Sequence, residues 1–434
     1  MRLDQDELNS NTVMILGGDG YLGWTLGLAM ANRTGKHVVL VDNLIKRRWE
    51  KEAGAKVLVP LKSPKARIGE YERIFGKRNL SFEKVELLDS KAVERVIARY
   101  RPAVVINAAQ QPSAPFSMSS AKNAAATFSN NIVGHLNVIW AIAHISKATK
   151  YIKLGSGGCY MATDTDYVPL GKQDFTFEHC GKQHKVLQAL IPMQATDFYH
   201  QSKIADLLID ELCGKMWDLK VITVQQATIF GATIPENHSK ECGGLAARFN
   251  YDAVFGTVFN RFVCQMVIGH PLTVYGDGSQ KTGLISLTDT AENFIKLADL
   301  DVAPGEPTIV HNYTHRLSIR EIAEKLADVD PLAEINYLAN PRREPSGTLD
   351  LQVELHESVQ VTQADKEERL QAEMANALEF TRRYRDNIDP AIILPKIQWS
   401  TGETNAAGPG FVGRALKGAF AGREGVLTRK NSRV

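Results

Sequence analysis

The sequence is short of cysteine, of net charge and of long apolar runs, and each shortage excludes a class of protein. Its 434 residues contain five cysteines, an odd number without Cys-x-x-Cys spacing, which argues against a disulfide framework and against a zinc site. We therefore expect no metal. The net charge is +2 and the basic residues are scattered, so nothing predicts binding to nucleic acid. No apolar run approaches the length of a membrane span, and we expect no membrane partner.

The N-terminal residues also lack a targeting signature. Residues 1–12 are polar and mixed in charge, without the basic start and apolar stretch of a secretory signal. Together with the cysteine usage, this favours a protein of the reducing cytoplasm. A chain of this length can bury a large core and is too long for one small domain, which predicts a main domain with a second lobe.

Apolar runs typical of buried strands alternate with helical stretches in the first half of the chain. The runs are 13–16, 37–41, 85–88, 104–106 and 151–154, and 221–224 can extend the same sheet. This alternation predicts an α/β fold, a Rossmann-type doubly wound parallel sheet with helices on both faces. Beyond Ile234 the pattern loosens into segments rich in Gly, Asn, Glu and Pro, which predicts a smaller C-terminal α/β substrate-binding lobe.

These patterns divide the chain into four parts. They are an N-terminal extension (1–12), the nucleotide-binding domain (13–233), a lobe that mainly binds substrate (234–400, with the chain crossing back near 284–297) and a C-terminal tail (401–434). The tail is rich in Gly and Ala and shows little periodicity, so we expect it to be flexible. The alternative is an arm that packs on a second subunit.

A glycine-rich turn follows the first predicted strand and precedes a helical stretch. In the sequence Gly-Gly-Asp-Gly-Tyr-Leu-Gly at 17–23, Gly17 allows a tight turn and Gly20 lets the backbone approach a pyrophosphate. Gly23 lets the helix pack close to the sheet, and the helix N-terminus faces the phosphates. The motif predicts a dinucleotide site because the strand and the helix that it requires are both present.

Asp42 identifies the dinucleotide. It ends the second predicted strand, 25 residues after Gly17, where a carboxylate can accept hydrogen bonds from the adenine ribose hydroxyls. A carboxylate there would repel a 2′-phosphate, which favours NAD over NADP. Lys46, Arg47 and Arg48 follow shortly after Asp42 and leave NADP as the alternative cofactor.

Two further segments follow predicted strands and complete the cofactor site. Asp89 comes after the run 85–88 and could reach the adenine amine; the alternative is a helix cap. Asn107 and the small residues after it let the backbone come close to the cofactor. The candidate NAD contacts are Gly17, Asp19, Gly20, Tyr21, Leu22, Gly23, Asp42, Asn43, Asp89, Asn107, Ala108, Ala109, Tyr199 and Lys203.

Tyr199 and Lys203 are four residues apart in a helical stretch, so their side chains share one face. An ammonium beside a phenol favours the phenolate, a base that can accept a hydroxyl proton while a nicotinamide accepts the hydride. Ser156 follows the fifth predicted strand and should emerge at the carboxyl edge of the sheet, where its hydroxyl can share the substrate proton with Tyr199. The sequence therefore predicts a dehydrogenase-type catalytic group.

These positions resemble the extended short-chain dehydrogenase/reductase (NAD-dependent epimerase/dehydratase) superfamily, whose members act mostly on nucleotide sugars. The closer resemblance is to the UDP-sulfoquinovose synthase family and runs from about Val13 to Trp399. Its most specific motif is Tyr-Asp-Ala-Val-Phe-Gly-Thr at 251–257. The other motifs are 17–21, 41–44, 113–115, 198–200 with 202–203, 260–262, 269–276 and 340–342.

The resemblance implies a reaction and a set of roles. Members of that family oxidise C4 of UDP-glucose with bound NAD, eliminate water across C5 and C6, add sulfite and return the hydride. Tyr199 would be the base, Ser156 stands where the family has threonine, and His200 would lie near C5 and C6. The implied substrate contacts are Gln111, Ser113, Cys159, Arg261, Thr273, Tyr275, Lys281 and Arg342.

The resemblance also bears on the long interval between Ser156 and Tyr199 and on assembly. Residues 161–198 are similar to an insertion that the family carries over its active site; a surface hairpin is the alternative. Homodimers paired through the helix that bears Tyr199 are common in the superfamily, so by analogy we expect a homodimer.

The sequence departs from the family where substrate should be bound. Cys159 replaces a glutamate, Pro112 and Thr282 each replace an arginine, and Gly157 replaces a methionine. Losing a guanidinium removes a group suited to sulfite or another anion. A nucleotide-sugar 4-epimerase, which needs only the serine, the tyrosine and NAD, is therefore the alternative enzyme, whereas Gly157 and Gly158 disfavour a 4,6-dehydratase. A catalytically retired NAD-binding regulator is the alternative from another class.

Overall fold

The computed structural model describes residues 8–160, 167–191, 193–330, 332–339, 352–359 and 363–394. The tail predicted at 401–434 lies outside these residues. The strands are β1 (Asn9–Leu16), β2 (His37–Asp42), β3 (Leu80–Lys84), β4 (Pro102–Asn107), β5 (Lys150–Leu154), β6 (Tyr167–Val168), β7 (Gln173–His179), β8 (Lys182–Ala189), β9 (Val221–Gln226), β10 (Thr228–Phe230), β11 (Leu272–Tyr275), β12 (Lys281–Ser286), β13 (Thr308–Asn312), β14 (His315–Ser318), β15 (Ile335–Leu338) and β16 (Gln352–Val353).

Helices follow most of these strands. They are α1 (Tyr21–Thr34), α2 (Ile45–Glu52), α3 (Pro64–Phe75), α4 (Ser90–Tyr100), α5 (Ala114–Met118), α6 (Ala121–Phe128), α7 (Gly134–Ile145), α8 (Phe198–Trp217), α9 (Val258–Val267), α10 (Leu287–Asp299), α11 (Ile319–Val329), α12 (Gln363–Arg383) and α13 (Pro390–Ile393). A π-helical segment, Ser129–Val133, joins α6 to α7. None of the described helices is long and apolar enough to span a membrane.

The main sheet has seven parallel strands in the order β13-β9-β5-β4-β1-β2-β3. Its central strands are continuous apolar runs because helices cover both faces. One buried cluster packs α1, α3 and α10 on the sheet, and another packs α4, α7 and α8 on the opposite face. The predicted α/β doubly wound fold is confirmed.

One predicted strand was misplaced. The third strand is Leu80–Lys84, whereas the run chosen from the sequence, 85–88, follows it. Val85 and Leu87 are buried because they cover the α4–α7 face of the sheet beyond the end of β3. The strand itself carries half-buried polar residues, as an edge strand does, and so it gives a weaker apolar signal.

The lobe is built from smaller sheets and helices. β10, β12 and β14 form one sheet and β11 pairs with β15, while α9, α11 and α12 share a buried cluster with them. Between these elements the chain returns to the main domain, where α10 packs against α1 and β13 adds the edge strand. This interleaving holds the lobe over the carboxyl ends of the parallel strands.

The described part of the insertion projects from the main domain. β7 and β8 form an antiparallel hairpin whose side chains are mostly exposed. Of the described residues of the insertion, only Ala195, Thr196 and Asp197 line the central cavity. The hairpin base is tied to α8 by an ion pair between Lys172 and Glu211. The structure thus shows a surface hairpin whose last residues lead into the site.

Candidate active site

A cavity of about 1040 Å³ lies at the carboxyl ends of the parallel strands. Its walls come from the glycine-rich turn, from the ends of β2, β4, β5 and β9, from the start of α8 and from the lobe. In an open α/β sheet this edge is where ligands bind, because helix N-termini and strand ends converge there. The volume is large enough for a ligand longer than a single sugar or nucleoside.

The glycine-rich turn packs closely against neighbouring backbone segments. Gly17 has φ of +86°, and a Cβ there would lie 2.7 Å from the backbone of Ala108. Gly23 packs on the same turn, since its Cβ would lie 2.1 Å from the carbonyl oxygen of Gly17. The first turn of α1 contains no acidic residue. Tyr21, Leu22 and Gly23 of this turn line the cavity, so the helix start is suited to binding an anion there.

Asp42 is held at the rim of this turn. One carboxylate oxygen accepts from the Asp19 N–H at 3.0 Å and the other from the Leu44 N–H at 2.6 Å. Burial raises the pKa of the Asp42 carboxyl, although both hydrogen bonds oppose the shift. Two of the three basic residues that follow it in sequence form ion pairs: Arg47 with Asp19, and Arg48 with Glu52. Lys46 lines the cavity, with its Nζ 3.5 Å from the centre of the Phe255 ring.

The Asp19 carboxylate binds arginines instead of facing the cavity. Arg47 donates from 2.8 Å, Arg67 from 3.3 Å, and Arg248 also pairs with it. Burial by itself would raise the pKa of Asp19, but the hydrogen bond from Arg47 and the charges of the three arginines hold it below its usual value. This cluster, which we call the Asp19–arginine cluster, joins the turn to a segment of the lobe.

Tyr199, Lys203 and Ser156 converge on the other end of the cavity. The Lys203 Nζ lies 5.8 Å from the centre of the Tyr199 ring and donates to the carbonyl oxygen of Leu154 at 2.6 Å. Burial raises the pKa of Tyr199, and hydrogen bonding to Ser156 partly opposes the shift. Burial also lowers the pKa of Lys203, and the charge of Lys153 lowers it further.

A buried ion network lies behind Lys203. Lys153 and His135 flank Asp206, at 2.7 Å and 2.9 Å from its two oxygens. The second ring nitrogen of His135 lies 2.9 Å from Asp210. Burial opposes ionisation of Asp206, but the charges of Lys153 and His135 lower its pKa to about 2. We call these four residues the Asp206 network. It supplies charge next to Lys203 without lining the cavity.

Most of the predicted site residues line the cavity. They are Gly17, Gly20, Tyr21, Leu22, Gly23, Asp42, Asn43, Ala108, Ala109, Ser113, Ser156, Tyr199, His200, Lys203, Arg261, Thr273, Tyr275 and Lys281. Arg342 lies outside the described residues. The chain segments that carry these residues are far apart in sequence, so only the fold brings them to one cavity.

Four other predicted residues have different partners. Asp89 caps α4, where its side chain accepts from the Ala92 N–H, which is the alternative that its sequence context left open. Asn107 donates to the Tyr151 hydroxyl. The Gln111 side chain is fully buried and donates to the carbonyl oxygen of Ser113 and to Thr127, and Cys159 is fully buried behind the wall. These four residues thus have contacts within the protein, and none of them lines the cavity.

Several polar side chains that the sequence did not single out also face the cavity. Among the described residues, those with buried polar atoms lacking a hydrogen-bond partner include Gln110, Gln225, Asn260, Gln280 and His311. Orphaned polar atoms at a cavity wall indicate a polar ligand, since leaving them unpaired is costly. Gln225 at the end of β9 could have been found by extending the apolar run 221–224. The others carry no local signal.

The cavity fits a dinucleotide. Gly17, Gly20 and Asp42, the residues predicted to meet the phosphates and the ribose, all line it, and side chains with orphaned polar atoms line it too. The parallel sheet, the glycine-rich turn and the Ser-Tyr-Lys group together define an extended short-chain dehydrogenase/reductase. Comparison with known proteins then identifies the family.

The chain belongs to the NAD dependent epimerase/dehydratase family, whose model matches residues 13–310. It is therefore an enzyme that uses NAD. The chloroplastic UDP-sulfoquinovose synthase of Spinacia oleracea is 30% identical over 409 residues, which cover 91% of this chain and 81% of that protein. The UDP-sulfoquinovose synthase of Sulfolobus acidocaldarius is 31% identical over 336 residues, covering 76% of this chain and 83% of that protein.

A solved structure has the same fold. UDP-glucose 4-epimerase from Bifidobacterium longum, in complex with NAD+ and UDP, has a TM-score of 0.61 and 17% sequence identity. The match covers 87% of this chain and 100% of that one. The family resemblance drawn from the sequence motifs is thus confirmed by the relatives, and the fold by the solved structure.

Proposed function

We propose that this enzyme oxidises C4 of a UDP-sugar transiently with tightly bound NAD, as the first step of a UDP-sulfoquinovose synthase reaction. One observation carries the proposal. Ser156, Tyr199 and Lys203 meet in the same cavity as the glycine-rich turn and the lobe residues Arg261 and Lys281. A nucleotide sugar spanning that cavity would place its sugar at Tyr199 and its phosphates near the lobe cations.

The chain's own residues divide the chemistry. Bound NAD would supply the hydride acceptor. Ser156 would hold the substrate hydroxyl beside Tyr199, and the phenol would take the hydroxyl proton and later return it. Lys203 is fixed by the Leu154 carbonyl at the base of the cavity, where its three N–H groups can also reach a ribose. The buried site excludes water from the oxidised sugar.

Two readings of the later steps differ in whether sulfite is used. The relatives with 30% and 31% identity support sulfosugar formation. Pro112 and Thr282, which replace arginines in those motifs, both line the cavity and remove cations where an anion would bind. That observation favours the second candidate, a UDP-sugar 4-epimerase. Its hydride would return to the opposite face of the ketone without any second substrate.

Product analysis separates the two candidates. The purified enzyme would be incubated with UDP-glucose, with and without sulfite, and the products examined by mass spectrometry and NMR. A product heavier by the sulfonate, formed only with sulfite, supports the synthase. Conversion to UDP-galactose without a change of mass supports the epimerase. No turnover of UDP-glucose or UDP-galactose would contradict both.

The substituted positions offer a sharper test of sulfite use. Pro112→Arg places a guanidinium in the wall of the cavity, and we expect it to increase the rate of sulfonate formation. Cys159→Glu is the second such change, but Cys159 is fully buried and burial raises the pKa of its thiol to about 12. A glutamate there would be buried too, so we expect its benefit only together with Pro112→Arg. No gain from Pro112→Arg or from the double variant would remove these positions as the cause.

The homodimer is also a proposal, and the exposed surface of α7 and α8 supports it. Five large apolar side chains are at least two-fifths exposed on these helices: Leu136, Trp140, Leu208, Leu212 and Met216. A patch of this kind marks an interaction surface, and a second copy of the chain would cover it by pairing α7 and α8. Light scattering should give a dimer that Leu212→Asp converts to monomer. A monomeric wild-type protein would refute the proposal.

A further inference from the structure

The catalytic end of the cavity has a single carboxylate among the described residues that line it. The acidic residues in that lining are Asp42 and Asp197. Asp42 lies at the end of β2 beside the glycine-rich turn, whereas Asp197 immediately precedes α8, two residues before Tyr199. Cys159 stands where the related synthases have a glutamate, and it is fully buried. The carboxylate next to the catalytic tyrosine therefore comes from a different segment of the chain.

Both oxygens of Asp197 are directed at the same residue. As the N-cap of α8, Asp197 accepts the backbone N–H of His200 at 2.9 Å through Oδ1. Its Oδ2 lies 2.7 Å from Nδ1 of the His200 ring and also accepts from the Thr196 hydroxyl at 3.1 Å. The Asp197 side chain is 2% exposed and the His200 side chain 15%. The capping geometry thus holds the imidazole as well as the helix.

This contact fixes which ring nitrogen carries the proton. An ionised carboxylate only accepts hydrogen bonds, so it places the proton of a neutral imidazole on Nδ1 and leaves a lone pair on Nε2. Burial opposes ionisation, yet the hydrogen bonds from the His200 ring, from its backbone N–H and from Thr196 hold the pKa of Asp197 below its usual value. The basic nitrogen of His200 is then Nε2.

Gly158 shows where Nε2 points. A Cβ at Gly158 would lie 2.2 Å from His200 Nε2, so any other residue would collide with the ring. Gly158 and His200 both line the cavity, and the His200 ring centre is 4.8 Å from that of Tyr199. Gly158 therefore opens the space that the imidazole occupies. Nε2 lies at the cavity wall beside the tyrosine and not on the far side of α8.

We propose that Asp197 is a positioning residue that makes His200 a second acid–base group, separate from Tyr199. The inference rests on the proposed function, which supplies the ketone. Its substrate is a C–H bond on a carbon next to the oxidised carbon. That C–H bond breaks, its proton goes to Nε2, and its electron pair forms an enolate with the carbonyl. Return of a proton from the imidazolium to the same carbon reverses the step without any other reactant.

The test compares two variants that keep the helix cap. Asp197→Ser retains a hydroxyl that can accept the His200 N–H but cannot reach the ring. Asp197→Asn retains the cap and offers Nδ1 an amide N–H, which places the ring proton on Nε2 and removes the base. Ser120, the N-cap of α6 outside the cavity, gives the matched control Ser120→Ala, which removes a cap without touching the site.

The first measurement needs no cofactor or substrate. In protein labelled with 15N-histidine, the His200 ring signals are assigned by their loss in His200→Asn. We expect a proton on Nδ1 in the wild type and in Ser120→Ala, and on Nε2 in Asp197→Asn. A wild-type ring protonated on Nε2, or an unchanged ring in Asp197→Asn, would overturn the arrangement.

The second measurement separates the two acid–base groups. With UDP-glucose in D2O, formation of reduced nicotinamide reports oxidation, and deuterium at C3 and C5 of recovered UDP-sugar reports proton exchange. Both Asp197 variants should still form reduced nicotinamide, with exchange reduced about 100-fold, within the range that general acid–base catalysis contributes. Exchange as fast as in the wild type would refute the role of Asp197. Failure of the wild type to form reduced nicotinamide would refute the proposed function, while the ring signals still decide the Asp197–His200 arrangement.

Discussion

The two buried carboxylates Asp19 and Asp206 are both surrounded by cations, but the cations differ in kind and in origin. The partners of Asp19 are guanidinium groups at positions 47, 67 and 248, drawn from three separate segments. The partners of Asp206 are Lys153 and His135, both on elements of the main sheet domain. The first cluster joins segments distant in sequence, and the second lies within one core.

Because their cations differ, the two clusters have different roles. Guanidinium groups stay protonated at any pH that a folded protein meets, so the Asp19–arginine cluster is a fixed brace between the glycine-rich turn and the lobe. Amines and imidazoles change charge readily when buried. The Asp206 network therefore sets the electrostatic environment of Lys203, whose pKa responds to both Lys153 and Asp206. One cluster maintains geometry, and the other tunes charge.

The largest effect should come from a residue in neither cluster. Tyr199→Phe removes the hydroxyl that takes the substrate proton, and we expect kcat to fall about 10³-fold. Thermal stability and NAD content should change little, because no buried charge loses its partner. Steady-state kinetics with UDP-glucose and thermal unfolding check this. A Tyr199→Phe variant with unchanged turnover would show that Tyr199 takes no part in the reaction. A wild type without turnover, together with a Tyr199→Phe variant that still binds the same partner protein, would favour the NAD-binding regulator.

Asp206→Ala should break the network behind Lys203. It leaves Lys153 and His135 buried without their carboxylate, and we expect a loss of about 3–5 kcal/mol in the free energy of unfolding. Chemical denaturation measures this loss. The pH profile of kcat should also shift, since Lys203 loses a neighbouring negative charge. An unchanged profile with lowered stability would show that the network is purely structural, which would erase the distinction between the clusters.

Asp19→Asn should have a smaller effect on stability and none on the pH profile. Arg47 is partly exposed and can be solvated, and Arg248 keeps its second partner, Glu50, so we expect a loss of about 2–3 kcal/mol. NAD should bind more weakly because the turn is less firmly held. Isothermal titration with NAD and amide hydrogen exchange at 17–23 measure these changes. A shifted pH profile with unchanged NAD affinity would invert the assigned roles.

Acid should weaken the Asp206 network in a defined window. The Asp206 pKa is about 2 in the folded protein against an ordinary value of 3.8. The unfolded chain therefore binds the proton more readily, so this contribution is present above about pH 4 and is lost as the pH falls toward 2. It amounts to roughly 2 kcal/mol. Unfolding of the wild type and of Asp206→Asn between pH 5 and 2 should give a stability difference that shrinks with acid. A constant difference would contradict the lowered pKa.

Local sequence patterns predicted much of the fold and many of the residues that line the cavity. The apolar runs 13–16, 37–41 and 104–106 lie in strands because a sheet covered on both faces requires continuous apolar residues. The glycine-rich turn and the helix that carries Tyr199 and Lys203 appear in the structure where the sequence placed them, because each depends on the local geometry of a few residues. The edge strand β3 was misplaced because half of its surface is not buried.

Residues whose partners are distant in sequence were harder to place. Asp19 and Asn107 were predicted as cofactor contacts from motifs that follow strands, Gln111 as a substrate contact from the family resemblance, and Asp89 as a cofactor contact from its position after a strand. In the structure their side chains bind Arg248, Tyr151, Thr127 and the start of α4 respectively. Asp197 was not singled out, since an N-cap aspartate is common and only the folded ring of His200 shows its second contact.

The sequence by itself determined the family, the parallel sheet and the use of NAD, and it predicted residues for the cofactor and the reacting hydroxyl, because these depend on short motifs and on burial periodicity. Tertiary structure alone decided which charges are paired. The three arginines reach Asp19, Lys153 and His135 reach Asp206, and Gly158 gives up its side-chain space to the ring of His200. Such pairings depend on distances of a few ångströms between segments up to 229 residues apart. No local pattern encodes distances of that kind.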